Sequence, residues 1–489
     1  MAAAAIAACG LCVVSYYFKE ESVYLGAVVI AALFICIAAR VKPQMIVVLT
    51  VLVIVSINIQ VTYSCIDTAE GLSGKTVKCE FKVVEEPVRK ENYSRVVIKP
   101  IKSKELPKNI KCLLFYNSTE LECGDIIEAK IKLEAIEEEY KLYDYSNSIY
   151  LTANAKSIEF TDKQDGLLKT VDKVREYITS TLFSMYDRDI SSTLSALTYG
   201  SREYMSDRFY SDVKAAGVSH VMVVSGMHLA IIMSFITTTS EKLFYKRWMR
   251  ALISVTVVLF MSAVCGFTVS IIRAGITYVL SAAAPLFGRD NCPANTLGTA
   301  VCIMLAVSPM AVFNLVFQLS VLSTFGVLVV APEFYSLIKT ENKLLNKLVQ
   351  SVTVTISAMI MTLPVTVYCF GYISTVSILT NLLISYAVTV ALVCAVSGLT
   401  VNLFMPALSE PFFFAAGILT KYINSVITYF ASFVNSTVDI DTGFTVVCII
   451  FILIVLKIMS ACKLRKGMVK LETVRKKVIK EGGGKVKWL

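Results

Sequence analysis

Two histidines are the whole imidazole complement of the chain, and both fall in one short stretch. Residues 217–232 read GVSHVMVVSGMHLAII, so His220 and His228 flank a Ser225-Gly226 step inside an apolar run. Three chemistries compete for such a set. A metal centre needs further N, O or S ligands, and the neighbouring residues supply none. A serine nucleophile wants a GxSxG elbow or a triad, whereas VVSGMH is not GxSxG and has no acid beside it. A polar lining for a passage, or a close helix contact through Gly226, asks for the fewest further residues, and hydrogen bonds between packed helices use the same groups.

Arg273 is the sharper signal. It sits in TVSIIRAGITYVL, where a guanidinium either pairs with an acid, reaches the interface, or faces a hydrated path that carries anions. Few acids lie in the surrounding runs; Glu203 and Asp207, outside the membrane, are the nearest candidates for a pair. Asn314, Gln318 and Ser320 in FNLVFQLSVLSTFG, Asn381 in ILTNLL and the helix-breaking Pro364 add further polar or irregular points to apolar runs. Neither a catalytic residue, a metal nor a cofactor is called for by these groups.

The elements that must position them are membrane helices. The 489 residues are 56% hydrophobic and 17% charged, with a mean hydropathy of +0.67, which excludes an ordinary soluble domain. Apolar runs near 2–17, 23–39 and 44–63 open the chain, and others follow near 218–238, 250–266, 269–287, 294–308, 311–331, 349–366, 376–402, 411–436 and 444–461. These predict a polytopic α-helical membrane protein of about 11–12 spans. The weakest run is 411–436, where Lys421 and Asn424 interrupt an amphipathic pattern. If 218–238 is one helix, His220 and His228 share roughly one face, with Ser225 near that stripe. Arg40 and Lys42, the basic loops around Lys246 and Lys343, and a tail from Lys457 with eleven basic against two acidic residues all mark the cytoplasmic side.

Residues 66–164 have another texture. TVKCEFKVV, SRVVIKP, NIKCLLFY and DIIEAKIKLEAI alternate as strands do, separated by turn residues, and predict a small β-barrel of about five strands. From Lys75 to Lys111 there are eleven basic and five acidic residues, interleaved with Phe81, Tyr93, Phe115 and Tyr116; Tyr143 and Tyr145 follow. Lysine and arginine beside stacking rings suit single-stranded nucleic acid, and a solvated barrel with aromatic core residues has the same composition. Cys112 and Cys123 flank a turn at Asn117 and so could lie on adjacent strands; at least one disulfide among Cys79, Cys112 and Cys123 is expected, with Cys112–Cys123 the first choice. Residues 165–216 read as amphipathic helices on the outer surface. The domains are therefore 1–65, N-terminal transmembrane helices; 66–164, the extracytoplasmic β-domain; 165–216, interfacial helices; 217–462, the transmembrane core; and 463–489, a basic cytoplasmic tail.

GVSHVMVVSGMH resembles the signature of the ComEC competence family of DNA-uptake channels. ALTYGSREYMSDRFYSDVKAAG is similar to the family's segment leading into that motif, SIIRAG to its Arg-Ala helix, FNLVFQLSVLSTFG to its Gln-Leu-Ser helix, and LPVTVYCFGYISTVSILTNLL to its Pro to Asn-Leu stretch. Gly124-Asp125 and YDYSNSIYL (143–151) resemble the family's oligonucleotide-binding (OB)-like domain, with a Tyr where Phe-Asp-Tyr is commoner. The resemblance implies passage of one DNA strand into the cytoplasm during natural transformation. It makes His220, Ser225, Gly226, His228, Arg273, Gln318 and Asn381 candidates for the DNA path. Lys82, Arg89, Lys90, Arg95, Lys99, Arg202 and Arg208 become candidates for contact outside. Partners implied are DNA, the membrane, a DNA receptor and a cytosolic translocase. Many members end in a metallo-β-lactamase-like nuclease; no histidine follows His228 here, so the resemblance implies a non-enzymatic chain served by a separate nuclease. Two other readings share these residues: a transporter of another polyanion or nucleotide on the same fold, and an intramembrane hydrolase built on Ser225 and His228.

Overall fold

The structure, a computed structural model, describes the chain except residues 39–42, 86, 90–92, 104–105, 118–120, 164–166, 244–246, 289, 339, 434–435, 442, 456 and 458–489. Three apolar helices come first: α1 (Ala2–Tyr17), α2 (Ser22–Ala38) and α3 (Pro43–Glu70). Small residues set their packing, because without a hydrophobic drive between helices close backbone approach must supply the contact. Ala4, Ala5 and Ala8 of α1 are buried. They face α11 (Pro293–Val307), where a Cβ on Gly298 would stand 2.7 Å from the Ala2 Cα.

A β-barrel follows α3 directly. Strands β1 (Thr76–Val83), β3 (Ser94–Lys102), β4 (Lys111–Tyr116), β5 (Asp125–Glu134) and β6 (Ile149–Lys163) close in the order β1-β5-β6-β4-β3 and back to β1, with the short β2 (Val88–Arg89) added outside β3. The alternation seen in sequence is the alternation of the wall: Val77, Cys79, Phe81 and Val83 of β1 and Ile127, Ala129, Ile131 and Leu133 of β5 point inward and are buried. The barrel is consistent with an OB-like fold.

The expected pairing of the segments around Asn117 needs correction. β4 pairs in parallel with β6 and antiparallel with β3, and β6 lies between β4 and β5 in the sheet. Cys112, on β4, and Cys123, beyond it, are therefore not on adjacent strands. Both are thiols, with no disulfide between them. Cys112 is enclosed in the barrel, while the Cys123 thiol lies 3.5 Å from the Val84 carbonyl oxygen. Burial, reinforced by the nearby Cys79, pushes the Cys112 thiol up to about 12.

Helix α4 (Glu138–Ser146) lies between β5 and β6 and docks the barrel on the membrane core. The helices that follow are α5 (Leu167–Met185), α6 (Arg188–Thr198) and α7 (Asp207–Ala215). The surface placement expected for 165–216 fails at α6. Every residue from Ser191 to Thr198 is buried, because α6 inserts against α15 (Ser377–Asn402) and α16 (Pro406–Ala431). Ser192, Thr193 and Thr198 turn back on the preceding turn, as Thr198 does on the Leu194 carbonyl at 2.8 Å, and Ser191 donates to the Leu182 carbonyl of α5 at 3.0 Å. Asn424, an interruption of the α16 pattern, accepts from the Thr193 hydroxyl at 3.0 Å and donates to the Asp189 carbonyl at 3.2 Å.

The core comprises α8 (Gly226–Leu243), α9 (Arg247–Val264), α10 (Val269–Ala283), α11, α12 (Leu315–Phe325), α13 (Ala331–Ile338), α14 (Lys343–Phe370), α15 and α16, then a last helix, α17 (Phe444–Val455). A π-helical turn, Gly326–Val330, joins α12 and α13, so that Leu315–Ile338 forms one span. Among the described residues five helices are long and apolar enough to cross a membrane, and six shorter apolar helices accompany them; α16 belongs to neither set. The chain is a multi-pass membrane protein with an added barrel.

Candidate functional site: a polar cluster at the head of helix α8

The apolar texture of 218–238 predicts one helix, but α8 begins at Gly226. The nine residues before it form a loop that is pressed into the protein. Gly217 has φ +72°, and a Cβ there would lie 2.4 Å from Ser377 Cβ and 2.7 Å from Ser374 Cβ. Only glycine meets both the backbone and the space. The Ser374 hydroxyl fixes the same corner by donating to the Ala215 carbonyl at 2.7 Å. His220 and His228 thus do not share a helix face. His220 lies in the loop, where it shares a hydrogen bond with Asn381 of α15. Asn381 in turn donates to Thr355 of α14 at 2.9 Å and accepts from Ser385 at 3.2 Å. The His220 residue itself is exposed.

His228 stands in the first turn of α8 and is 0% exposed. Its Nδ1 accepts the Ser225 backbone N–H at 3.2 Å, and the Ser225 hydroxyl lies 3.2 Å from the same nitrogen. Ser225 Oγ also accepts from the Met227 N–H at 3.3 Å. This is a capping box in which imidazole takes the part usually played by Glu or Gln. An Nδ1 that accepts puts the proton on Nε2. That Nε2–H is buried and has no hydrogen-bond partner among the described residues. Ser225 thus serves as a cap, and the ring nitrogen beside its hydroxyl also accepts a backbone amide.

Arg273 comes to the same place from α10. It is 6% exposed, and its Nε donates to Ser320 Oγ of α12 at 2.8 Å; Ser320 Oγ also meets Ser270 Oγ at 3.0 Å. Its Nη groups bond to none of the described residues and keep some solvent access. No ion pair to Arg273 occurs among the described residues, and Glu203 and Asp207 are exposed elsewhere. A Cβ on Gly226 would come 2.8 Å from Arg273 Nη2 and 3.2 Å from Ala274 Cβ. Gly226 therefore lets the guanidinium lie against the first turn of α8. The guanidinium thus lies beside the N-terminus of α8 with no carboxylate partner among the described residues.

Other candidates fall elsewhere. Gln318 donates to the Val312 carbonyl at 2.9 Å, holding the turn before α12. Outside the bundle, Tyr210 lies between Arg202, whose guanidinium donates to its hydroxyl at 3.0 Å, and Lys214, 4.5 Å from its ring. Arg208 is exposed beside it. On the barrel, Lys82 and Lys99 face each other across β1 and β3, and Arg95 pairs with Phe115, whose ring meets Tyr93 at 5.7 Å. Phe81, Tyr116 and Tyr145 are core. Arg89 lies on β2, its side chain outside the described residues, as is Lys90 entirely. No cluster of metal-binding groups is present among the described residues.

Asn314 joins barrel and bundle, a role that its polar character in sequence marked without its partner. Its amide donates to Asn147 at 3.0 Å and to Ser146 at 3.4 Å, and its oxygen accepts from Phe317 N–H at 3.1 Å. The YDYSN segment is thus a docking element. Burial raises the Asp144 carboxyl there, against the opposing pull of Arg95.

The helices that carry this cluster lie within the part of the chain that known proteins share. A relative named ComE operon protein 3, from Bacillus subtilis (strain 168), is 23% identical over 328 residues, covering 67% of this chain and 41% of the relative. The chain thus spans about two fifths of that relative's length. No solved structure matches. The model of the Competence protein family matches residues 197–466, from the end of α6 through the final helix. With more than half of its length matched, the chain belongs to the Competence protein family.

Proposed function

We propose that the chain is a membrane channel that carries a single strand of DNA into the cytoplasm during natural transformation. The observation that carries the reading is Arg273: a guanidinium inside a membrane bundle, without a carboxylate among the described residues, on the family's shared segment. Such a cation is tolerated beside water, dipoles or an anion, and a nucleic-acid backbone is a chain of anions. On this reading the barrel lies outside the membrane and offers Lys82, Lys99 and the Arg95–Phe115–Tyr93 group to the incoming strand. Tyr210 with Arg202 and Lys214 stands near the entrance, and the basic tail lies in the cytoplasm. Backbone charge and stacking rings serve a strand of any sequence. A DNA receptor, a cytosolic translocase and a separate nuclease complete the system.

The test is a deletion strain given DNA labelled differently on its two strands. Loss of label from the cytosol, with surface binding kept and restoration by the wild-type gene, is the expected result. Normal entry of label, with loss instead of uptake of a nucleotide or other polyanion, would replace this reading by the transporter one.

A further inference from the structure

Helix α5 ties together two helix ends that a simple alternation of spans would place on opposite faces of the membrane. Its Arg175 Nε donates to the carbonyl of Val264, the last residue of α9, at 2.8 Å. Two residues on, the Tyr177 hydroxyl donates to the Leu399 carbonyl of α15 at 2.9 Å and accepts from the Asn402 amide at 3.0 Å. Arg175 and Tyr177 stand about 3 Å apart along the helix axis, so their side chains cannot reach both faces of a hydrocarbon core about 30 Å thick. The end of α15 therefore lies at the membrane face where α9 ends.

The basic loops fix that face. α9 rises from the loop with Lys242, Lys246, Arg247 and Arg250, and α14 from the loop with Lys339, Lys343 and Lys347. Ser377, which opens α15 after a short link from the end of α14, is thus on the far face as well. α15 begins and ends at one face. β7 (Tyr372–Ser374) and β8 (Thr437–Asp439) pair antiparallel and bring the chain after α16 back beside the start of α15. Three further features agree. The tip, LFMPALSEPF (403–412), has Glu410 and neither Lys nor Arg, unlike the two basic loops. Leu403, Phe404, Met405 and Leu408 there are each at least 60% exposed, a patch of the kind that marks a lipid or protein contact. Lys421, near the middle of α16, is exposed, and a crossing helix would hold that cation at the centre of the lipid.

We infer that α15 and α16 form a re-entrant hairpin that enters and leaves the membrane at the face opposite the basic loops, its apolar tip seated among the acyl chains of that leaflet. Glu410 and Lys421 then stand at headgroup level, the lysine by snorkelling. The hairpin's other side rests on the α5–α6 corner, where Tyr186 donates to the Phe413 carbonyl and a Cβ on Gly417 would lie 2.7 Å from the Tyr186 ring. None of this depends on what the protein carries.

Right-side-out and inverted membrane vesicles holding the full chain are treated with a membrane-impermeant maleimide, and the labelled peptides are resolved by mass. Cys369, in the last turn of α14, and Cys292, reached from the end of α9 through α10, are both exposed and mark the two faces. Glu410→Cys and Lys421→Cys should label from the face of Cys369. Either variant labelling from the face of Cys292, or resisting the reagent on both faces, overturns the hairpin. So does labelling of Cys369 and Cys292 from one face. The lipid contact is read separately in nanodiscs whose lipid is brominated on the acyl chain. The emission that Phe404→Trp adds to that of the two native tryptophans should be largely lost there. Unquenched emission, with water or a second copy at the tip, overturns the lipid seat.

Discussion

At the scale of single residues, position 226 separates stability from function. A Cβ there would meet the Arg273 Nη2 at 2.8 Å, the far end of a long side chain, and the Ala274 Cβ at 3.2 Å, so the guanidinium is displaced and α8 moves a few tenths of an ångström from α10 while the helix survives. Alanine is also the better helix former by about 1 kcal/mol. Gly226→Ala should therefore reach the membrane in normal amount, yet reduce DNA entry about tenfold, the size of a lost charge-assisted hydrogen bond. Immunoblotting and transformation frequency check the two halves. Cys112 gives a second expectation. With its thiol enclosed and pushed up to about 12, maleimide at pH 8 should leave it unlabelled in the folded protein and label it fully in denaturant, because only the thiolate reacts. The types and order of these residues were legible in sequence. What Gly226 touches was not, since Arg273 reaches it from a helix that begins over forty residues later.

Elements carry the features that sequence pattern misreads. VSHVMVV looks helical, but the tight corner at Gly217 and the contacts with Ser374 and Ser377 hold it as a loop, and the helix waits for the cap at Ser225. Ser225→Ala should cost about 0.5–2 kcal/mol of stability, seen as a lower unfolding midpoint. SSTLSALT reads as a half-polar surface helix, yet it is buried, with the hydroxyls of Ser191, Ser192, Thr193 and Thr198 satisfied on backbone carbonyls and Ser195 Oγ left without a partner among the described residues. The β4–β6 pairing joins strands distant in sequence, which no local turn signal announces. The YDYSN segment adds a pH dependence. Burial raises the folded-state pKa of Asp144 above its ordinary value, so its charge disfavours the fold at neutral pH and ceases to do so as pH falls through the raised value. Asp144→Asn should therefore unfold later than wild type at pH 7–8, with the gap closing toward pH 4.

In the whole molecule the barrel and the bundle meet at Asn314, which satisfies groups on α4 and the first turn of α12 together. Asn314→Ala should cost about 1–3 kcal/mol through unmatched buried groups, read as faster hydrogen exchange over 138–150 and 315–318. Spans, barrel and family were legible because apolar runs, alternation and motifs are local signals. The docking of one body on the other was not, as it depends on single side chains far apart in the chain. The central claim is that a strand passes where α8, α10 and α12 converge. Transforming cells with a strand carrying 4-thiothymidine, irradiating during entry and mapping the attached peptides tests it without choosing a site beforehand. The account predicts attachment within 217–232 and 269–283, lost when Arg273 is Gln. Attachment only to the barrel, or only to outward-facing helices such as α2, would contradict it.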